Sequence, residues 1–306
     1  MNDQARASLL YGTEEPAPPP RVLRAGALTA ELDGGNLRAV RFGGVEMVRG
    51  IAYLVRDRAW ATFIPRIDDL AVTEAADRFD VRYRAQVQDS AARLDYAVTI
   101  AGHADGALRF TAEAETREDF VTCRAGFVVL HPAGVAGLPV AVEHVDGARE
   151  QTRFPERIDP VQPMRDLRAL THEFAPGARV TCRMEGDAFE MEDQRNWTDA
   201  SYKTYVRPLA LPWPYTIARG DGVEQAIRLT VTGPAPAAST GTGAITVAVG
   251  DVIGTVPPLG LGLDPSEIPD TLAHAGLLRS VGAKLLVGYY DPAKGHDRAT
   301  LSGIAA

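Results

Sequence analysis

The chain has 306 residues, of which 45% are hydrophobic and 24% charged, and its formal net charge is −8. This composition is typical of a globular protein with enough apolar side chains for a core. The acidic balance argues against a nucleic-acid partner, which requires a clustered cationic surface. No apolar run is long enough for a transmembrane helix, and the polar start, Met1-Asn-Asp-Gln-Ala-Arg, lacks the apolar stretch of a signal peptide. We therefore expect a soluble, cytoplasmic protein without a membrane partner.

The cysteines, the histidines and the short motifs predict neither a metal nor a cofactor. Cys123 and Cys182 are too few for a disulfide framework or a zinc site, and their β-like surroundings predict two buried thiols. The six histidines have no tight ligand spacing. The glycine-rich signatures of dinucleotide and P-loop sites are missing, as are those of the common serine hydrolases and zinc proteases.

A series of short alternating segments follows a proline-rich lead-in over residues 1–20, which we expect to be mobile. Glycine-containing turns separate several of them, and the strands so predicted are residues 28–32, 37–42, 53–57, 79–87, 94–100, 107–114, 123–130, 138–146, 178–184 and 226–232. Period-2 strands at this spacing, with almost no helical pattern before residue 260, predict a mainly β protein. We expect a large antiparallel β-sandwich, supersandwich-like, over residues 21–233.

Residues 151–176 contain four prolines and interrupt the series of strands. Because proline removes a backbone donor and favours turns, the segment predicts a long ordered crossing loop. Its polar side chains include Arg165, Asp166, Arg168 and His172.

The pattern changes after the sandwich. Small residues, glycine and proline predict a linker over residues 234–257. Beyond it, a strand at 259–263, a helix from Ser266 to Val281 and a strand at 284–290 form a β-α-β unit, with Asp-Pro after each strand. This unit predicts the first two strands of a (β/α)8 barrel, which needs about 250 residues. We expect residues 258–306 to be the truncated start of such a barrel; the alternative is a small appendage docked on the sandwich.

Residues 184–205 combine charged and aromatic side chains. Their charged residues are Glu185, Asp187, Glu190, Glu192, Asp193, Arg195, Asp199 and Lys203, and their rings include Phe189, Trp197, Tyr202 and Tyr205. A solvated loop does not need so many aromatic residues, and a core strand does not need so many carboxylates. The mixture predicts a polar cleft that binds a hydroxylated ligand. The alternative is a charged edge hairpin held by salt bridges.

Several residues of this stretch are candidates for chemistry. Glu190 and Glu192 share a face if the segment is extended, close enough to divide acid and base roles. Asp193, Arg195 and Asn196 follow where the strand should break into a loop. We expect Arg195 to stabilise an oxyanion and Asn196 to orient a hydroxyl group.

The remaining candidates are aromatic or basic. Trp197 suits stacking on a sugar ring, or else it is a hydrophobic plug under the loop. With Asp193 and Asn196, it would bind substrate alongside Lys203 and Tyr205. Two histidines outside this stretch, His144 and His172, are the most plausible general bases, and the alternative for each is a structural histidine.

These residues also carry a family resemblance. The run from Phe189 to Tyr205 contains Glu-Asp-Gln-Arg-Asn-Trp, and with Pro208-Leu-Ala-Leu-Pro-Trp-Pro214 it resembles the bacterial D-apionate lactonase family. Segments 9–13, 50–57, 126–132 and 142–147 resemble it too, so the likeness covers most of residues 8–295. It implies a lactonase that opens D-apionolactone to D-apionate in the degradation of apiose. In the family a barrel follows the sandwich, so the likeness also implies a truncated member.

The leading hypothesis is a carboxylic-ester hydrolase acting on a small sugar lactone. Glu192, or else Glu190 or His144, would activate water, while Arg195 and Lys203 would steady the tetrahedral oxyanion. A glycoside hydrolase using two carboxylates is the second hypothesis, although its acids would normally come from barrel strands. The third is a non-catalytic carbohydrate-binding sandwich.

Overall fold

The computed structural model describes Arg6, Ser8, residues 12–13, residues 19–237 and residues 246–305. The chain divides into two compact units, Met1–Gly241 and Thr242–Ala306, and each is described by itself. Much of the predicted lead-in over residues 1–20, and residues 238–245 of the predicted linker, lie outside the described residues. The limits of the domains therefore stay a prediction.

The first unit is built from antiparallel strands. They are β1 (Arg21–Ala25), β2 (Leu28–Asp33), β3 (Asn36–Phe42), β4 (Val45–Arg56), β5 (Arg66–Glu74), β6 (Arg78–Gln88), β7 (Arg93–His103), β8 (Leu108–Thr116), β9 (Phe120–Thr122), β10 (Arg124–Pro132), β11 (Pro139–His144), β12 (Arg149–Arg153), β13 (Leu167–Ala175), β14 (Ala178–Glu185), β15 (Glu190–Asp193), β16 (Ser201–Tyr205), β17 (Tyr215–Ile217) and β18 (Gly222–Thr232). Sheet A has the order β1-β2-β3-β4-β10-β16-β15, and sheet B has the order β12-β11-β13-β14-β18-β8-β7-β6-β5. The short strands β17 and β9 pair separately.

One hydrophobic core lies between the two sheets. Along β6 and β7, buried residues alternate with exposed or half-buried ones, as expected for strands with one face on a core. Tyr53 of sheet A has its ring centroid 4.9 Å from that of Tyr96 in sheet B. Phe127 of sheet A lies 4.9 Å from Phe110 of sheet B, edge to face. Each such buried ring stabilises the fold by roughly 1.5–3 kcal/mol relative to exposure. The prediction of a mainly β, antiparallel sandwich is confirmed.

The predicted crossing loop over residues 151–176 is wrong in extent. β12 extends to Arg153, and β13 occupies Leu167–Ala175, paired with β11 on one side and β14 on the other. The prolines of the segment lie before β13 or directly after it, so they bound this strand without interrupting it. Leu167 and Leu170 are fully buried, because the strand needs apolar side chains on its core face. The two cysteines are free and buried, as predicted.

The second unit contains a parallel pair of strands, β19 (Gly260–Leu263) and β20 (Leu285–Gly288). The predicted single helix between them is wrong: α1 (Ile268–Ala273) and α2 (Ala275–Val281) are separated at His274, and α3 (Arg298–Ala305) follows β20. Asp264 directly follows β19, and its carboxylate accepts a hydrogen bond from the Ser266 amide at 2.9 Å, which caps a 3-10 turn. The β-α-β arrangement is present, whereas its interpretation as the start of a barrel stays a prediction. In the described part of the chain, no helix is long and apolar enough to cross a membrane.

Candidate functional site

The charged and aromatic stretch forms a hairpin at one edge of sheet A. β15 is the edge strand and pairs with β16, with Glu190 opposite Tyr205 and Glu192 opposite Lys203. A 3-10 turn over Gln194–Trp197 lies between the strands. Since alternate residues of a strand point to opposite faces, these four side chains share the face that is turned away from the sandwich core. Glu190 and Glu192 therefore lie on one face, as predicted, and the segment is also an edge hairpin.

Glu190 anchors this face. It is buried, and its Oε1 accepts hydrogen bonds from the Tyr205 hydroxyl at 2.6 Å and from the Leu209 amide at 2.7 Å. Burial first, and then the neighbouring Glu190, raises the pKa of Tyr205 above its ordinary value. Tyr205 therefore stays a neutral donor to the carboxylate. Because Glu190 is buried and is bonded to groups of its own sheet and loop, its geometry fits a residue that positions Tyr205.

Glu192 is more accessible and binds two partners. Its Oε2 lies 2.8 Å from Lys203 Nζ, and its Oε1 accepts a hydrogen bond from Trp197 Nε1 at 2.5 Å. The pKa of Lys203 is lowered by burial, and the bond with Glu192 acts in the opposite direction. Trp197 is 66% exposed, so the alternative of a hydrophobic plug is wrong. The indole ring instead stands at the rim of the site.

A buried arginine that the sequence reasoning missed completes the cluster. The Cζ atom of Arg124, at the start of β10, lies 4.1 Å from the ring centroid of Tyr205 and 5.3 Å from that of Trp60. Its residue exposure is only 4%. Burial lowers the pKa of Arg124, and the electrostatic interaction with Tyr205 raises it. The signal was present in the sequence, because this arginine is the second residue of an otherwise apolar predicted strand over residues 123–130.

The loop after β4 places Trp60 over this arginine. The Asp57 carboxylate accepts hydrogen bonds from the amides of Ala59 at 2.8 Å and Ala61 at 2.9 Å, a turn that aspartate commonly stabilises. Trp60 has a φ of 72°, in the left-handed region that bulky residues rarely adopt. Its carbonyl accepts a bond from Arg56 Nη1 at 2.9 Å. The strained backbone is thus held by its surroundings, as is common at ligand sites.

We call Arg56, Arg124 and Lys203 the cation cluster. The Cζ atom of Arg56 lies 5.9 Å from the Trp60 ring centroid, and the Trp60 ring in turn contacts Trp213 edge to face at 5.2 Å. Cations stacked on aromatic faces gain about 0.5–2 kcal/mol each. The site therefore combines three cations, two carboxylates and several aromatic rings on one face of sheet A.

Arg195 does not belong to this cluster, contrary to expectation. Its guanidinium pairs with Asp193 at 2.7 Å and donates to the carbonyl oxygens of Pro155 and Glu156 at 2.9 and 3.0 Å. Asp193 projects to the opposite face of β15 from Glu192, and it also accepts a bond from the Asp159 amide at 3.0 Å. The pair fastens the hairpin to the preceding loop. In this geometry Arg195 and Asp193 have partners within the protein, and the oxyanion role of Arg195 and the substrate-binding role of Asp193 stay predictions.

The two candidate histidines lie elsewhere. His144 ends β11 in sheet B, where its Nδ1 contacts the Arg165 carbonyl oxygen at 3.0 Å and its Nε2 lies 3.7 Å from Glu150. His172 is buried in the core, and burial lowers its pKa to about 4. The structure therefore supports the structural alternative for both.

Asn196 is exposed within the 3-10 turn. Within the described residues, no group of three or more histidine, cysteine or acidic side chains is placed to hold a metal ion.

The two sheets and this charged, aromatic face define a β-sandwich protein with a candidate site for a small polar ligand. The chain belongs to the D-apionate lactonase family. Residues 8–234 match the family "D-apionate lactonase, N-terminal domain". The D-apionate lactonase of Brucella anthropi is 46% identical over 302 residues, which cover 97% of this chain and 50% of that protein. The family resemblance is confirmed, and the chain spans about half the length of this curated relative.

Solved structures with similar folds are more distant. A galactose 1-epimerase from Lactobacillus acidophilus NCFM has a TM-score of 0.45 and 9% identity, and the match covers 69% of this chain and 92% of that chain. A putative aldose 1-epimerase from Escherichia coli K12 has a TM-score of 0.42 and 11% identity, with 70% and 99% covered. These likenesses concern the fold, and nothing about activity rests on them.

Proposed function

We propose that this chain takes part in the hydrolysis of a small sugar-acid lactone, opening D-apionolactone to D-apionate in apiose catabolism. The observation that carries the proposal is the 46% identity to a protein named D-apionate lactonase. The charged and aromatic face of sheet A supports it, because a lactone needs a base, an oxyanion partner and a wall for its ring. Because the chain spans about half of that relative, activity of this chain alone is part of the proposal.

In this proposal Glu192 is the general base. A water molecule beside Glu192 gives a proton to the carboxylate while its oxygen attacks the lactone carbonyl carbon. The resulting oxyanion forms near the Lys203 ammonium, which lies 2.8 Å from Glu192 and favours negative charge. When the carbonyl re-forms, the bond to the ring oxygen breaks, and that oxygen takes the proton back from Glu192. No covalent intermediate is needed.

The neighbouring residues hold these two groups in place. Trp197 donates to Glu192 and, being largely exposed, can pack against the substrate ring. Tyr205 lies beneath Lys203, whose Nζ is 5.3 Å from the ring centroid. Glu190 fixes Tyr205 through its hydroxyl. The two proposed catalytic groups, Glu192 and Lys203, therefore lie on β15 and β16, which are adjacent strands of sheet A.

A direct assay tests the proposal. Opening of D-apionolactone releases one proton per ester, so it is followed by pH-stat titration or by NMR with purified protein. We expect opening above the spontaneous rate, with the Brucella anthropi protein as a positive control. Opening by the control and none by this chain would show that the residues described here do not suffice.

A further inference from the structure

The guanidinium of Arg124 is buried without a matching anion. Among the residues that the structure describes, no acceptor lies within hydrogen-bonding distance of its Nε, although the side chain is almost fully buried. The two nearby carboxylates have other partners: Glu190 binds Tyr205 and Leu209, and Glu192 binds Lys203 and Trp197. A buried charge with an unmet donor destabilises a fold. Such an arrangement is expected where an external anion completes it.

A second unmet donor lies beside the first. Arg56 pairs with Arg124 across β4 and β10, and its Nε is also buried without a partner among the described residues. Stacking on Trp60 orients both guanidinium groups. A planar guanidinium binds a carboxylate through two parallel hydrogen bonds, which an ammonium does not reproduce. The pair therefore suits a carboxylate better than a neutral hydroxyl group.

The local charge supports the same assignment. The cation cluster brings three positive groups together on one face beside the carboxylates of Glu190 and Glu192, whereas the whole chain carries −8. A neutral lactone has no negative charge to pair with these cations. The hydroxy acid formed by ring opening carries a carboxylate and matches them.

We propose that Arg124, flanked by Arg56 and Trp60, forms a carboxylate subsite that binds an open-chain sugar acid more tightly than a neutral lactone or polyol. The identity of the acid rests on the proposed function, and the subsite itself rests on the geometry. If the lactone is the substrate, its hydrolysis product competes with it at this subsite.

Binding measured by isothermal titration calorimetry tests the subsite without catalysis. The probes are sodium D-apionate, the neutral polyol D-apiitol with the same carbon skeleton, and inorganic phosphate. We expect D-apionate to bind at least about tenfold more tightly than D-apiitol, the usual value of one charge-assisted bond. Equal affinity for the polyol would overturn the assignment. Phosphate binding as tight as that of D-apionate would overturn a site shaped for a sugar acid.

The matched variants are Arg124→Met and Arg38→Met. Methionine preserves much of the apolar stem and removes the charge. Arg38 is an exposed residue on β3 of the same sheet, so its replacement should leave the Kd for D-apionate unchanged. Arg124→Met should raise this Kd at least about tenfold, with circular dichroism confirming the fold. An unchanged Kd in the folded variant would overturn the proposal.

If Arg124→Met does not fold, Arg56→Met supplies the test. Arg56 is half-buried, and its loss should raise the Kd for D-apionate about threefold or more, corresponding to a bond of ordinary strength. An unchanged Kd in this folded variant would again overturn the subsite.

The two proposals fail separately. Arg124-dependent binding of D-apionate without lactone opening would leave the subsite standing and remove the proposed function. Lactone opening without measurable binding of D-apionate would remove the subsite and leave the proposed function standing.

Discussion

At the scale of single residues, the alternation of side-chain directions along strand β15 decides which side chains are in contact. Glu192 and Asp193 are neighbours in the chain, but they face opposite sides of sheet A. Glu192 therefore joins Lys203, and Asp193 joins Arg195 in a bond that fastens the hairpin. The charge composition of the stretch predicted a site, but the pairing of each charge required the register of the sheet.

Replacing Glu192 with glutamine tests the general base. The amide keeps the shape and cannot accept the proton from water, so kcat for D-apionolactone should fall by about a hundredfold or more. Glu113→Gln, at an exposed position in sheet B, is the control and should leave kcat unchanged. Steady-state kinetics by pH-stat measures both variants. Unaltered kcat for Glu192→Gln would remove this residue from the mechanism.

Glu190 should matter more for stability than an exposed glutamate does. Glu190→Ala leaves the Tyr205 hydroxyl and the Leu209 amide without their acceptor. The free energy of unfolding should fall by about 1–3 kcal/mol, the usual cost of an unmet buried donor. Urea denaturation measures this change, with Glu113→Ala as the control. Equal stability of the two variants would contradict the anchoring role.

The buried histidines predict a loss of stability in weak acid. Burial lowers the pKa of His131 to about 3 and that of His172 to about 4, so below pH about 6.5 the unfolded state binds more protons than the folded state. The free energy of unfolding should therefore fall as the pH falls from about 6.5. Each histidine contributes about 1.4 kcal/mol per pH unit within that window.

His172→Phe isolates one of these contributions. Phenylalanine removes two buried ring nitrogens that lack partners among the described residues and can pack beside Phe154. Between pH 7.5 and 5.5, the variant should lose about 1.4 kcal/mol less than the wild type in urea denaturation. The exposed His103 serves as the control, as His103→Gln. An unchanged pH dependence in His172→Phe would show that folding does not lower the pKa of His172.

At the scale of elements, β10 connects the core to the candidate site. Its residues pair with β4 on one side and β16 on the other. Phe127 packs in the core, whereas Arg124 at the start of the strand stands under Trp60. Sequence alternation predicted the strand, but its two neighbours in sheet A are distant in the chain. Only the sheet order shows that Arg124 and Lys203 share a site.

Gly126 should be required for this strand. A Cβ atom added there would lie 2.0 Å from Cγ1 of Val206, so Gly126→Ala forces the segment after β16 to shift. We expect a loss of about 1–3 kcal/mol in the free energy of unfolding, as for other overpacked positions. Gly134→Ala is the control, because its Cβ would meet no atom within 4 Å. A change equal to that of the control would contradict this close approach.

At the scale of the molecule, the core belongs to the first unit. Leu263 is the one buried residue among the described residues of the second unit, and large side chains such as Leu277, Leu286 and Val287 are exposed there. A unit with so little burial adds little to the free energy of unfolding. The sandwich should therefore be stable on its own.

A fragment of residues 1–241 tests this expectation. Its free energy of unfolding in urea should match that of the full chain within about 0.5 kcal/mol, the range of changes at peripheral positions. The Kd of the fragment for D-apionate should also equal that of the full chain, because the described site lies within the first unit. A larger loss of stability would show that residues 242–306 support the sandwich.

The sequence by itself determined the mainly β class and the family, because strand alternation and a long local motif can be recognised along the chain. It left the edge hairpin of residues 184–205 as one of two interpretations, which the pairing of β15 with β16 decided. It misplaced residues 167–175, since prolines on either side of β13 concealed a strand whose partners lie elsewhere in the sequence. Only the tertiary structure showed that Arg195 binds Asp193 and the preceding loop, and that Arg124 lies at the candidate site. Both depend on which face a side chain takes and on which strands become neighbours, and these are set by the packing of two sheets around one core.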